Sequence, residues 1–359
     1  VTIAAIDQGG RRAVPAAMLK YHVTGLARVV SNDAMDILGG KGICLGPSNF
    51  LGRAYQQVPV AITVEGANIL TRSLIIFGQG AIRCHPYVMA EMQAARNDDL
   101  VAFDKALFAH IGHTIGNGLR ALVTGLTGSH FVGVPANVAP ETRRYYQQLT
   151  RFSSAFAFLA AISMLVMGGD LKRKEKLSAR MGDILSLMYL SSAVLKRYEA
   201  EGRQQADAPL MHWAIWDSMF KAQNAFEGVV SNFPSRFVST LLRRTIFPLG
   251  RPYVVPSDRL GGCVADLLIA PSATRDRLTA GMYLPRDEND AVGVIELALE
   301  AVIAAEPIHH KIRTAQKAGK VEGRSAQELE SQSLAHGVIT SAEHALLLRA
   351  RELTGEVIK

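Results

Sequence analysis

Apolar residues return at three- and four-residue steps along almost the whole chain, and no stretch shows the period-two alternation of a half-buried strand. After Pro15, the residues Leu19, Val23, Leu26, Val30, Ala34 and Ile37 fall on one face of a long helix that Gly39-Gly40 stops. Further helices are predicted at about 68–77, 88–95, 100–126, from 140 onward, 178–197, 208–230, 261–269 and 293–305. Ser325-Ala326-Gln327-Glu328 and Thr340-Ser341-Ala342-Glu343 each fit a capping box and open two closing helices. Loops are predicted at 39–52, 128–140 and 247–257, with a helix break near Gly78-Gln79-Gly80. The fold class is all-α, without a fixed-period repeat.

With 359 residues, 48% of them hydrophobic, the chain has material for one large or two modest cores. Phe152 to Gly169 carries no charge and reaches the length of a marginal membrane span, but its serines and terminal glycines favour a helix buried in a bundle. Three widely spaced cysteines form no framework of pairs, which points to a reducing, cytoplasmic compartment. The net charge of +7 suits an anionic partner. Its densest run, Lys172-Arg173-Lys174, lacks aromatic interleaving or zinc-finger spacing, so it reads as a solvated helix face and not as a nucleic-acid interface. Because the chain opens with Val1 in what reads as the middle of a helical domain, it is expected to be a piece of a longer protein.

One short stretch carries chemistry. Glu65 stands alone between the apolar run Val58–Val64 and the run Ile69–Phe77, with Gly66 after it and no lysine or arginine nearer in sequence than Arg72. A carboxylate there is expected to be partly desolvated and suited to general-base work. The bland alternative is a helix N-terminal glutamate resting on the macrodipole.

Upstream lies Asn32-Asp33-Ala34-Met35-Asp36-Ile37-Leu38-Gly39-Gly40-Lys41-Gly42. Taken with Glu65-Gly66-Ala67-Asn68 and Arg72, this segment resembles the C-terminal helical domain of the acyl-CoA dehydrogenases. There a glycine-rich segment precedes a motif whose glutamate is the catalytic base. The remainder resembles the tail of the large bacterial enzymes of fatty-acid β-oxidation. The resemblance implies residues 1–80 as the end of the catalytic helical domain and 81–359 as a bacterial-type helical extension. It implies FAD as cofactor, Glu65 as base, and substrate contacts at Glu65 and Gly66. It implies flavin contacts at Asp36, Gly39, Gly40, Ala67 and Asn68.

A fatty acyl-CoA would be the substrate, oxidised to a trans-2-enoyl-CoA, with electron-transfer flavoprotein as acceptor. A homo-oligomer and peripheral contact with the inner membrane are also implied. Three residues depart from the pattern: Ala67 replaces a threonine, Ile69 a polar residue and Asp36 a glutamine. An aspartate beside a pyrophosphate would be repelled, which leaves the backbone of Gly39 and Gly40 for that contact. These departures keep open a non-catalytic scaffold, and an acyl-CoA oxidase is a further alternative.

The remaining constellations are given no role. His110 and His113 share a helix face without a local carboxylate or cysteine, so no metal is expected. Cys84-His85 and His309-His310 are adjacent pairs whose side chains point apart, and Ser272 reads as a helix cap.

Overall fold

The computed structural model describes residues 1–10 and 13–358, except for the side chains of Arg83 and Cys84. The cysteine of the Cys84-His85 pair therefore lies outside what is described. Every regular element among the described residues is helical. The first are α1 (Thr2–Asp7), α2 (Ala13–Leu38), α3 (Gly40–Ile43) and α4 (Gly52–Thr63). A three-residue α5 (Asn68–Leu70) widens into a π-helical segment, Thr71–Gln79, and tightens again in α6 (Gly80–Cys84). Then come α7 (Val88–Arg96), α8 (Leu100–Leu126), α9 (Arg143–Met167), α10 (Glu175–Ala200), α11 (Ala208–Ser231) and α12 (Arg236–Ile246). The chain continues with α13 (Asp258–Leu268), α14 (Ala273–Thr279), α15 (Gly293–Lys317), α16 (Ala326–Ala335) and α17 (Ser341–Ile358).

The chain forms two compact units. One holds Val1–Ala27 and Pro59–Val264, the other Arg28–Val58 and Ala265–Lys359.

In the first unit α9, α10 and α11 interleave around Phe152, Leu159, Met181, Ile184, Ile215, Met219 and Phe226, all buried. The uncharged stretch from Phe152 is thus the core helix the sequence predicts. Among the described residues Pro140–Lys172 is the one single helix long and apolar enough to cross a membrane, and half of its apolar window is buried in the fold. Arg151, at its near end, is 4% exposed and donates to the Ile246 carbonyl (3.1 Å).

In the second unit α15 packs on α17 through Ile308, Ile312, Leu347 and Ala350. The capping box at α17 is complete. Glu343 N–H donates to Thr340 Oγ1 (3.2 Å) and Thr340 N–H to Glu343 Oε2 (2.9 Å). At α16 Ser325 Oγ accepts from Glu328 N–H (3.2 Å), while Glu328 Oε2 accepts one residue earlier, from Arg324 N–H (2.7 Å).

Several expectations need correction. α2 forms, but its apolar stripe stays uncovered: Val23, Leu26, Val30 and Ile37 are exposed and only Met18 is buried. Periodicity reports a helix, not its partner, and in the first unit this helix is held by the buried Met18 and by hydrogen bonds from its polar residues. The break near Gly78-Gln79-Gly80 does not occur. The helix runs on into α6, and Gly80 lies in ordinary contact range of Val14 on α2. α15 continues through Pro307 to Lys317 instead of ending near 305. α4, with Pro59 inside it, and α12 were not expected. Ser272 does cap α14, accepting from Arg275 N–H (3.1 Å).

Candidate functional site

Glu65 lies in the turn between α4 and α5. Its φ is +52°, a left-handed backbone that long side chains seldom adopt, and Gly66 follows at +107°. Strain of this kind costs of order 1 kcal/mol and persists only where the surroundings enforce it. Here the enforcement comes from α2. Lys20 Nζ donates to the carbonyls of Ile62 (3.0 Å) and Gly66 (2.8 Å) and to Asn68 Oδ1 (2.7 Å). All three ammonium protons are thereby used, and the turn is clamped at both ends.

Asn68 completes the clamp. It is buried, and its Nδ2 donates to Thr24 Oγ1 (2.8 Å) and the Tyr21 carbonyl (3.4 Å). Thr71 Oγ1 reaches the Gly66 carbonyl from the other side (3.4 Å). The amide of Asn68, expected as a flavin contact, is thus engaged in holding the turn.

The desolvated setting expected for Glu65 is not formed. Its side chain is exposed, because the left-handed step at 65 and 66 turns it away from the packed face of α2. It is also not an N-terminal helix glutamate, since α5 begins at Asn68 with Ala67 as its N-cap. Among the described residues neither its carboxylate nor its N–H has a hydrogen-bond partner, and the Gly66 N–H is likewise unpaired. An anionic acceptor and two free donors therefore share one rigid, outward-facing turn.

Behind the turn the π-helical segment is fixed to α10. Arg72 Nε donates to Asp183 Oδ1 (2.8 Å) and its Nη2 to Oδ2 (2.5 Å), and this fork holds the guanidinium above its ordinary pKa. Ser178 Oγ donates to the Ser73 carbonyl (2.6 Å). Gly182 permits the approach, since a Cβ there would stand 2.9 Å from the Arg72 carbonyl oxygen. Widened helical turns of this kind recur at functional sites.

Asp36, Gly39 and Gly40 belong to the second unit and are all exposed. Gly39 has φ +56°, and a Cβ on it or on Gly40 would meet nothing within 4 Å. That open backbone fits the close approach of a diphosphate. The exposed carboxylate of Asp36 does not fit, and Ala67 offers only backbone. The histidines of α8 are held within the fold: His110 Nδ1 pairs with Glu91 Oε1 (2.8 Å) and His113 Nε2 meets Asn117 Nδ2 (3.0 Å). No group of three or more metal-ligating side chains is placed to share an ion among the described residues.

Residues 2–77 match the family described as acyl-CoA dehydrogenase, C-terminal domain, and residues 82–359 match acyl-CoA dehydrogenase, C-terminal, bacterial type. The chain belongs to this acyl-CoA dehydrogenase C-terminal family. No solved structure matches it. The family is FAD-dependent in general. Lys20, which no local pattern in the sequence singles out, is the residue that holds the Glu65 turn.

Proposed function

We propose that this chain is the C-terminal part of an FAD-dependent acyl-CoA dehydrogenase oxidising medium- and long-chain fatty acyl-CoA to trans-2-enoyl-CoA, with Glu65 as the base. The observation that carries this reading is the Glu65 backbone, held left-handed by a clamp that leaves its carboxylate and N–H both free. The exposed apolar stripe of α2 supports it further, since such a face suits the remaining helices of a larger bundle.

In this reading the Glu65 carboxylate takes the α-proton of the thioester. The Glu65 N–H donates to the thioester oxygen as charge grows there, a fixed dipole already in place when the proton leaves. Gly66 lets the substrate lie against the backbone. When bound, the flavin supplies the acceptor for the β-hydride. Gly39 and Gly40 would meet its diphosphate through their backbone, and Asp36 is left without a part in holding it. The bound acyl chain excludes water from the exposed carboxylate, which this chain's own residues do not cover. Electron-transfer flavoprotein as acceptor, a homo-oligomeric enzyme and a cytoplasmic location with peripheral inner-membrane contact complete the proposal.

The test is anaerobic addition of a long-chain acyl-CoA to the flavoprotein carrying this chain, following the flavin band. Wild type should bleach, and Glu65→Gln should keep its flavin without bleaching. Equal bleaching would remove Glu65 from the role. A protein without any flavin band would favour the scaffold to which Asp36, Ala67 and Ile69 point. Peroxide release without an added acceptor would favour an oxidase.

A further inference from the structure

A cavity of about 460 Å³ in the first unit lies between the end of α8, one face of α9, Trp216 of α11 and the loop after α12. Its volume is within the range of small-molecule sites. Arg144, Gln148 and Arg151 line it from successive turns of α9. Arg151 is 4% exposed, and its one hydrogen bond goes to the Ile246 carbonyl. Arg144 donates only to Gln147 Oε1 (2.5 Å) and the Gly128 carbonyl (2.7 Å). No carboxylate among the described residues pairs with either guanidinium. Two cations line one cavity without a counter-ion, one of them buried. That arrangement is strongly unfavourable unless an anion completes it. Burial accordingly pulls the Arg151 guanidinium below its ordinary pKa.

The walls are built and rigid. Gln223, itself buried, donates to the Tyr253 carbonyl (2.7 Å) and accepts from the Tyr253 N–H (3.0 Å), pinning the loop. Trp216 Nε1 donates to the Val254 carbonyl (2.8 Å). Gly125 gives the loop room, since a Cβ there would stand 2.7 Å from Pro248. Tyr145, Trp216 and Tyr253 supply aromatic surface. Gln148 adds a second signal: its Oε1 is buried without a partner while its Nε2 donates to the Gly128 carbonyl (3.0 Å). An unpaired buried acceptor calls for a donor on whatever enters.

We propose that this cavity binds a small organic anion: a phosphate or carboxylate held by Arg144 and Arg151, on a body that offers a hydroxyl or amide N–H to Gln148 and a flat or apolar surface to the aromatic walls. The site stands apart from the Glu65 turn and does not depend on the dehydrogenase reading.

Titrating the protein with inorganic phosphate, phenyl phosphate and 3-hydroxybenzoate, with tryptophan fluorescence and melting temperature as readouts, tests this. At least one organic probe should quench saturably and raise the melting temperature. Preference for phenyl phosphate would assign the site to phosphate esters, and preference for 3-hydroxybenzoate to organic acids. Arg151→Met and Arg144→Gln should each weaken binding tenfold or more. Arg151→Met should melt no lower than wild type, because it removes an unpaired buried charge. If that variant misfolds, Arg144→Gln alone decides. Absence of saturable binding by all three probes, or unchanged binding in the variants that fold, overturns the proposal.

Discussion

Two long helices of this chain advertise themselves in the same way and end differently. α9 and α2 both carry apolar stripes at helical spacing. α9 is the spine of the first unit, with Phe152, Leu159 and Ser163 essentially sealed from solvent. α2 leaves Val30 65% and Ile37 85% exposed, and in the first unit it is held by the buried Met18 and by hydrogen bonds at Lys20, Tyr21 and Thr24. A stripe predicts that a helix forms; whether anything covers it depends on elements distant in sequence. The helix whose stripe is left mostly exposed is the one that holds the candidate site.

The comparison can be broken most easily at the core. Leu159→Ala should destabilise the chain by about 2–5 kcal/mol, while Val30→Ala should change it by less than about 0.5 kcal/mol. Denaturant midpoints on the two variants check this, and similar losses would mean that α2 is covered after all. The tie between the π-helical segment and α10 is the next largest. Gly182→Ala drives a Cβ against the Arg72 carbonyl and should cost about 1–3 kcal/mol by forcing the helices apart.

A smaller effect, on the order of 1 kcal/mol once screening of a partly exposed ring is allowed for, concerns pH. His85 Nδ1 accepts from the N–H groups of Tyr87 and Val88 (3.3 Å each) and so caps α7. Burial first, then His110 and His113, lowers its pKa from 6.5 to about 4. The unfolded chain therefore takes up this proton first as the pH falls. Stability present above pH 6.5 should be lost progressively down to about pH 4. His85→Asn keeps a capping acceptor without the titration and should flatten that part of the melting-temperature profile. An unchanged profile would place the pH dependence elsewhere.

Much of the fold was legible. Leu100–Leu126, the uncharged core helix and the capping residues at Ser272, Ser325 and Thr340 are local signals, set by spacing and side-chain chemistry within a few residues. The site was legible only as a motif. Glu65 and Gly66 could be named, but Lys20 bonds partners 42 to 48 residues away, and no local pattern encodes such a pairing. The same distance hid the role of Asn68, whose amide is turned toward α2. Exposure of Glu65 was missed because flanking apolar runs suggest burial. A left-handed step between two helices reverses that inference.

The account's central claim is that the clamped turn makes Glu65 a proton-abstracting base. It is tested most directly by exchange of the α-proton of an acyl-CoA with D2O, measured on the flavoprotein carrying this chain. Glu65→Gln should lose about 10²–10⁴-fold in exchange rate. Lys20→Met, which keeps the carboxylate but frees the turn, should lose a smaller factor. Exchange at the wild-type rate in Glu65→Gln would contradict the claim outright.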